Sequence, residues 1–96
     1  MRLVISALAR RDQDDISRYT LDQWGRPQLL AYVGGLLDLL DSIAGGTTVG
    51  KSVRGIPPRF LRVTYQSHFI FYTTCAETVR IVRILHQRMD HARHLN

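Results

Sequence analysis

The chain is predicted to adopt an α+β fold: a two-helix antiparallel hairpin packed on a sheet of an N-terminal strand plus a three-stranded antiparallel meander. Three observations predict it. Apolar residues recur near helical spacing from Ala7 to Ala44, and with a period of two from Arg59 to His86. A stretch rich in glycine and proline, Gly45 to Pro58, separates the two regimes. Helical patterns followed by a run of strands, rather than alternating with them, place the helices together on the sheet. The chain has 96 residues, which is one domain's length, with a modest core and a narrow stability margin.

Each element has its own local reason. Arg2 to Ser6 is a short aliphatic and β-branched run, read as a strand, and Ser6 can cap the helix that follows. From Ala7 to Trp24, Leu8, Ile16, Tyr19 and Trp24 fall near helical spacing, and Asp12, Asp14 and Asp15 suit early turns. Gly25 as a C′ residue and Pro27 as an N1 residue mark the turn into a second helix from about Pro27 to Ala44. Gly34-Gly35 costs that helix about 1–2 kcal/mol relative to Ala-Ala, and close approach of the two helices is the expected reason. Arg59–Tyr65, His68–Cys75 and Val79–His86 read as strands joined by the short links Gln66-Ser67 and Ala76-Glu77. Asp90, before His-Ala-Arg-His, reads as the N-cap of a short terminal helix. No internal repeat is visible.

Composition narrows the function classes. An apolar fraction of 45% with 22% charged residues belongs to a globular chain and not a disordered one. No apolar run approaches the roughly 18 residues of a membrane span, and the N-terminal run meets acidic residues before a signal core could form. A lone Cys75, inside a strand pattern, excludes an intramolecular disulfide, is expected to be buried, and fits a cytoplasmic location. Charge is uneven along the chain. Met1 to Val53 sums to zero, whereas Arg54 to Asn96 holds seven arginines against Glu77 and Asp90 and all four histidines. Twelve arginines against one lysine suit forked, planar recognition of an anionic surface.

Three segments in order resemble the ParE branch of the ParE/RelE superfamily, the toxic halves of type II toxin–antitoxin pairs. They are Ala9-Arg-Arg-Asp12 with Tyr19-Thr-Leu-Asp-Gln-Trp-Gly25; Phe60-Leu-Arg-Val-Thr-Tyr65 with His68-Phe-Ile-Phe-Tyr72; and Val82-Arg-Ile-Leu-His-Gln-Arg-Met-Asp90 with Arg93-His-Leu95. The resemblance covers essentially the whole chain. It implies a protein silenced by a cognate antitoxin, growth-arresting when freed, and directed at DNA gyrase by binding. The alternative it leaves open is the ribosome-dependent mRNA endonuclease of the RelE branch, for which Arg62, Arg83 and His86 are the candidate catalytic residues. The stretch after the last strand, Gln87-Arg88-Met89-Asp90, lacks the aromatic-rich end of that branch. A copy with decayed toxicity, still bound by antitoxin, is a third reading.

The expected target-binding set is therefore Arg59, Arg62, Arg83, His86, Arg88 and Arg93. On the last strand Arg80, Val82, Ile84 and His86 alternate with Val79, Ile81, Arg83 and Leu85, so each face is mixed and one arginine is expected to pair with an acid. His86 beside Arg83 and Arg88 could act as a base, but a strand-end histidine bonded to the backbone is the simpler reading. His86, His91 and His94 lack the further ligands a metal site needs, and no metal or cofactor is expected. The leucine stripe of the second helix is wider than one core face requires. Leu29, Val33, Leu36, Leu37 and Leu40, with Tyr19 and Trp24, are the expected antitoxin-binding residues. Phe69, Phe71 and Tyr72 read as core, so direct contact with nucleic acid is the less favoured expectation.

Overall fold

The computed structural model describes residues 1–95 and runs β1 (Arg2–Ile5), α1 (Ala7–Trp24), α2 (Arg26–Ala44), β2 (Leu61–Tyr65), β3 (His68–Cys75), β4 (Thr78–His86) and α3 (His91–His94). The strands form one mixed sheet in the order β1-β4-β3-β2. β1 runs parallel to β4, with Arg2 level with Thr78 and Ile5 with Ile81, while the two hairpins are antiparallel. The element order is the expected one. The parallel placement of β1 beside β4 is what the helical hairpin, acting as a crossover, makes possible.

Local chemistry explains the helix ends. Ser6 is extended at φ −65°, ψ 159°, and its Oγ accepts the Ala9 N–H at 3.0 Å while its own hydroxyl donates to the Val82 carbonyl at 2.7 Å. One residue thus caps α1 and ties it to β4. Gly25, at φ 84°, closes α1 by donating to the Leu21 carbonyl and opens α2, with Pro27 in its first turn. That left-handed backbone favours glycine.

Helices α1 and α2 cover one face of the sheet. Tyr32, Leu36, Leu40 and Ile43 of α2 and Ala9 of α1 are buried against Ile70, Tyr72, Val79, Ile81 and Ile84. The glycine pair of α2 serves a different contact from the expected one. Gly34 faces open space, and a side chain at Gly35 would collide with the hydroxyl of Tyr65, not with α1. That hydroxyl donates to the Tyr32 carbonyl at 2.7 Å, so a strand tyrosine sits over the helix backbone where Gly35 leaves room. A second, smaller core forms on the other face, where Phe60, Phe71, Leu85 and Leu95 are buried together beneath the connecting loop and α3. Lys51 of that loop bonds both ways with Arg62, which shields the outer edge of β2.

Strand β4 carries an irregularity absent from the sequence pattern. Its pairing with β3 shifts between Phe71 and Tyr72, which are level with Arg83 and Ile81, leaving Val82 as an extra residue. The bulge resets the alternation: Val79, Ile81 and Ile84 all face the helices, and Val82 and Leu85 join the second core. The mixed faces expected from strict alternation are therefore unmixed by one inserted residue. Cys75, expected to be buried, is exposed, because it ends β3 on the face away from α1 and α2, next to the Ala76-Glu77 turn.

Candidate functional site

The bulge creates the most strongly bonded polar feature of the chain. β1 ends at Ile5, so beyond Val82 the free edge of β4 has no strand beside it. Asp12 of α1 fills that gap. Its carboxylate accepts the Arg83 Nε and Nη2 donors at 2.8 Å each and the Ile84 N–H at 2.9 Å. Both side chains are 13% exposed, and donating to the Asp12 carboxylate raises the Arg83 pKa above its ordinary value. Arg83 is thus tied to α1 through two of its five guanidinium N–H donors. Sequence reasoning called for one arginine to pair with an acid but could not name the partner 71 residues away. Asp12 is not in the first turn of α1, where no acid lies, and its work is tertiary.

The remaining residues of the expected sets sort onto three surfaces. His86 faces the helices, level with His68, their rings 5.5 Å apart edge to face. Its Nδ1 accepts the Arg88 N–H at 3.1 Å, the strand-end backbone bond anticipated for it. His68 Nδ1 lies 3.4 Å from the Tyr32 hydroxyl. Burial, and then the neighbouring His86, lowers the His68 pKa, while burial raises that of Tyr32. These groups floor an open groove of about 610 Å³ whose far wall is Ile16, Tyr19, Thr20 and Trp24 of α1. Trp24 is 70% and Tyr19 58% exposed, so both are groove wall and neither is core.

Arg62 lies on the opposite side of the sheet, its guanidinium 4.1 Å from the Phe69 ring centroid, and Arg59 stacks 4.6 Å from Phe60. Arg88 and Arg93 are exposed in the tail. The tail itself is anchored. His91 Nε2 is 2.9 Å from the His86 carbonyl, its ring packs near Phe69 and Phe71, and Leu95 is fully buried in the second core. Asp90 precedes α3 as expected but makes no side-chain cap bond. Along α2, Leu36 and Leu40 are buried in the main core, Leu29 and Val33 are half-buried, and Leu37 is exposed. Exposed Leu30, which sequence reasoning did not single out, continues the outer stripe seven residues before Leu37. No helix among the described residues is long and apolar enough to cross a membrane, and no cluster of three or more His, Cys, Asp or Glu residues gathers there.

Comparison with known proteins assigns this helical hairpin on a four-stranded mixed sheet to a family of toxins. A family model described as the ParE toxin of the type II toxin–antitoxin system, parDE, matches residues 3–91. The chain is 34% identical over 95 residues to Toxin ParE1 of Mycobacterium tuberculosis, covering 98% of this chain and 97% of that one. It is 32% identical over 91 residues to Toxin ParE1 of Caulobacter vibrioides, covering 95% and 94%, and 31% identical over 88 residues to Toxin ParE of Escherichia coli, covering 91% and 85%. A solved structure titled as a chromosomal ParDE system from P. aeruginosa superposes with a TM-score of 0.76 at 17% identity, covering 90% of this chain and 95% of that one, and shares its fold. The chain belongs to the ParE toxin family of type II toxin–antitoxin systems.

Proposed function

We propose that this toxin acts by stoichiometric capture of DNA gyrase in the bacterial cytoplasm and that a cognate antitoxin silences it by covering the helical face. One observation carries the choice of binding over turnover. The residues that an endonuclease would need together are dispersed: Arg62 is on the side of the sheet away from α1 and α2, His86 is on the side they cover, and Arg83 is neutralised by Asp12. General acid–base chemistry on a phosphodiester needs such groups converging within hydrogen-bond reach of one reacting atom. A binder has no such need.

The antitoxin surface follows from exposure. Tyr19 and Trp24 on α1, with Leu30 and Leu37 on α2, leave large apolar area facing water on a small domain. An amphipathic or extended antitoxin segment covering them would also stabilise the toxin by mass action. Leu36 and Leu40, being core, contribute by holding α2 in place. The target surface is drawn from Arg59, Arg62, Arg88 and Arg93, with His86 at its margin.

The discriminating experiment is a gyrase supercoiling assay run beside a translating extract. The purified chain is expected to stop supercoiling and leave mRNA intact. Cleaved mRNA that disappears in His86→Ala would transfer the chain to the endonuclease reading. For the antitoxin face, Trp24→Ala with Leu37→Asp is expected to weaken antitoxin capture at least tenfold while gyrase inhibition persists.

A further inference from the structure

Charge in the folded chain is sorted by layer. The helical hairpin, residues 7–44, carries four arginines against six aspartates, a formal −2. The sheet, the connecting loop and the tail together carry nine cations against Glu77 and Asp90, a formal +7. The pair between Arg83 and Asp12 removes one charge from each side and leaves that polarity standing.

Strand alternation decides where the positive residues point. Leu3 and Ile5 of β1, Val79 and Ile81 of β4, and Leu61 and Val63 of β2 all pack in the core under the helices. Arg2, Arg80 and Arg62 therefore project from the opposite face, away from α1 and α2. Arg2 and Arg80 are exposed on neighbouring strands, two steps apart along the ladder in which Arg2 is level with Thr78 and Val4 with Arg80. Toward the other end of the same face, Arg62 and Arg59 lie over phenylalanine rings. A stacked guanidinium keeps its N–H edges turned outward and has less freedom left to lose on binding. Among the described residues, none of these four has a carboxylate at ion-pairing distance.

We propose that the sheet face turned away from α1 and α2 binds the phosphate backbone of duplex DNA. The Arg2 and Arg80 end of this face lies outside the surface assigned above to gyrase and has no exposed aromatic side chain to anchor a protein, since Tyr19 and Trp24 stand on the other layer. A single strand would need bare aromatic rings on which to stack its bases, yet Phe60 and Phe71 are buried and Phe69 lies under Arg62. What the face does offer is arginine flanked by the hydroxyls of Thr73 and Thr78, which is the chemistry of backbone contact. The phosphate contact stands by itself; the choice of DNA over RNA rests on the gyrase reading above. It would let the toxin touch gyrase and the DNA that gyrase holds at once.

The test is fluorescence anisotropy of a labelled duplex of about 20 base pairs with the chain alone, titrated between about 50 and 200 mM salt. Binding is expected at the low end, and Arg2→Glu with Arg80→Glu should weaken it at least tenfold. The salt slope should fall by roughly 0.9 for each lost phosphate contact. The charge-matched control Arg10→Glu with Arg11→Glu, on α1, should change affinity less than threefold. If the glutamate pair unfolds the chain, Arg2→Gln with Arg80→Gln carries the same test. No binding at low salt, equal losses in both variant pairs, or tighter binding to duplex RNA or polyglutamate would overturn the proposal. Failure of the gyrase reading shows separately, as supercoiling untouched by the wild-type chain.

Discussion

Replacing Asp12 is the perturbation whose cost can best be worked from the structure. Asp12→Ala deletes three charge-assisted acceptor contacts at once, two from Arg83 and one from the Ile84 N–H. It leaves a guanidinium and a backbone donor at the bulge without partners. Removing one member of a buried ion pair typically costs about 3–5 kcal/mol, and an orphaned donor about 1–3. Both side chains keep 13% of their surface in contact with solvent, so water can recover part of the loss and the low end applies. The expected cost is about 3 kcal/mol, or a fall of roughly 12–24 °C in Tm for a domain of this size. Asp12→Asn retains one acceptor oxygen and should cost about half as much. Arg83→Met should cost about 2 kcal/mol, and the double variant should recover a coupling energy of about 1.5–3. Urea unfolding followed by circular dichroism measures all four chains. A coupling within 0.3 kcal/mol of zero, roughly the additivity error for independent sites, would refute the assignment of Arg83 as internal. So would gyrase inhibition lost in Arg83→Met at a temperature where the variant is folded.

Three further outcomes follow from local geometry. Gly34→Ala should be neutral or stabilise by up to about 1 kcal/mol, whereas Gly35→Ala should destabilise by about 1–3 because the Tyr65 hydroxyl occupies the space; thermal melts of the two variants separate them. Ala76 holds φ at +53° in the hairpin turn, so Ala76→Gly should stabilise by about 0.5–1 kcal/mol in urea titrations, contrary to the usual sign for Ala→Gly. His68 has a native pKa below its ordinary 6.5, so the unfolded chain binds the extra proton first. Its contribution to stability is complete above pH 6.5 and declines as pH falls toward the native value; His68→Gln should flatten that part of the stability–pH profile.

Much of the fold was legible because local signals agreed with one another. Ser6, Gly25 and Pro27 bound α1 and α2 through capping and backbone preferences that act within four residues, and the helix limits follow closely. The last strand was harder. Nothing in Val-Arg-Ile marks a bulge, since neither glycine nor proline interrupts it. The extra residue sits where Ser6 and Asp12 take the edge of β4 that β1 has left. Contacts of that kind join residues 71 and 76 positions apart, and no periodicity encodes them. Gly35 shows the same limit: the cost of the glycine pair was readable, but the partner that requires it, Tyr65, was set by how β2 crosses α2.

The functional surfaces depended on this distinction between order along the chain and order in space. Along the chain, the whole positive excess lies after Val53. Folding redistributes it. Arg83 from the basic half neutralises Asp12 from the neutral half, and Arg2, from the other end of the chain, joins Arg80 on the open sheet face. The helical hairpin is left mildly acidic and carries the exposed aromatics, while the opposite layer carries unpaired arginine without them. Two partners of different chemistry can then be held on opposite sides of one small sheet without competing. Under the gyrase reading, an antitoxin confined to the helical layer would oppose capture only by hindering the approach of that much larger protein or by altering the sheet through the shared core. An antitoxin that crosses to the arginine face would compete directly. Complexes formed with Arg2→Glu and Arg80→Glu toxin separate the two routes, since only the second predicts weakened antitoxin binding.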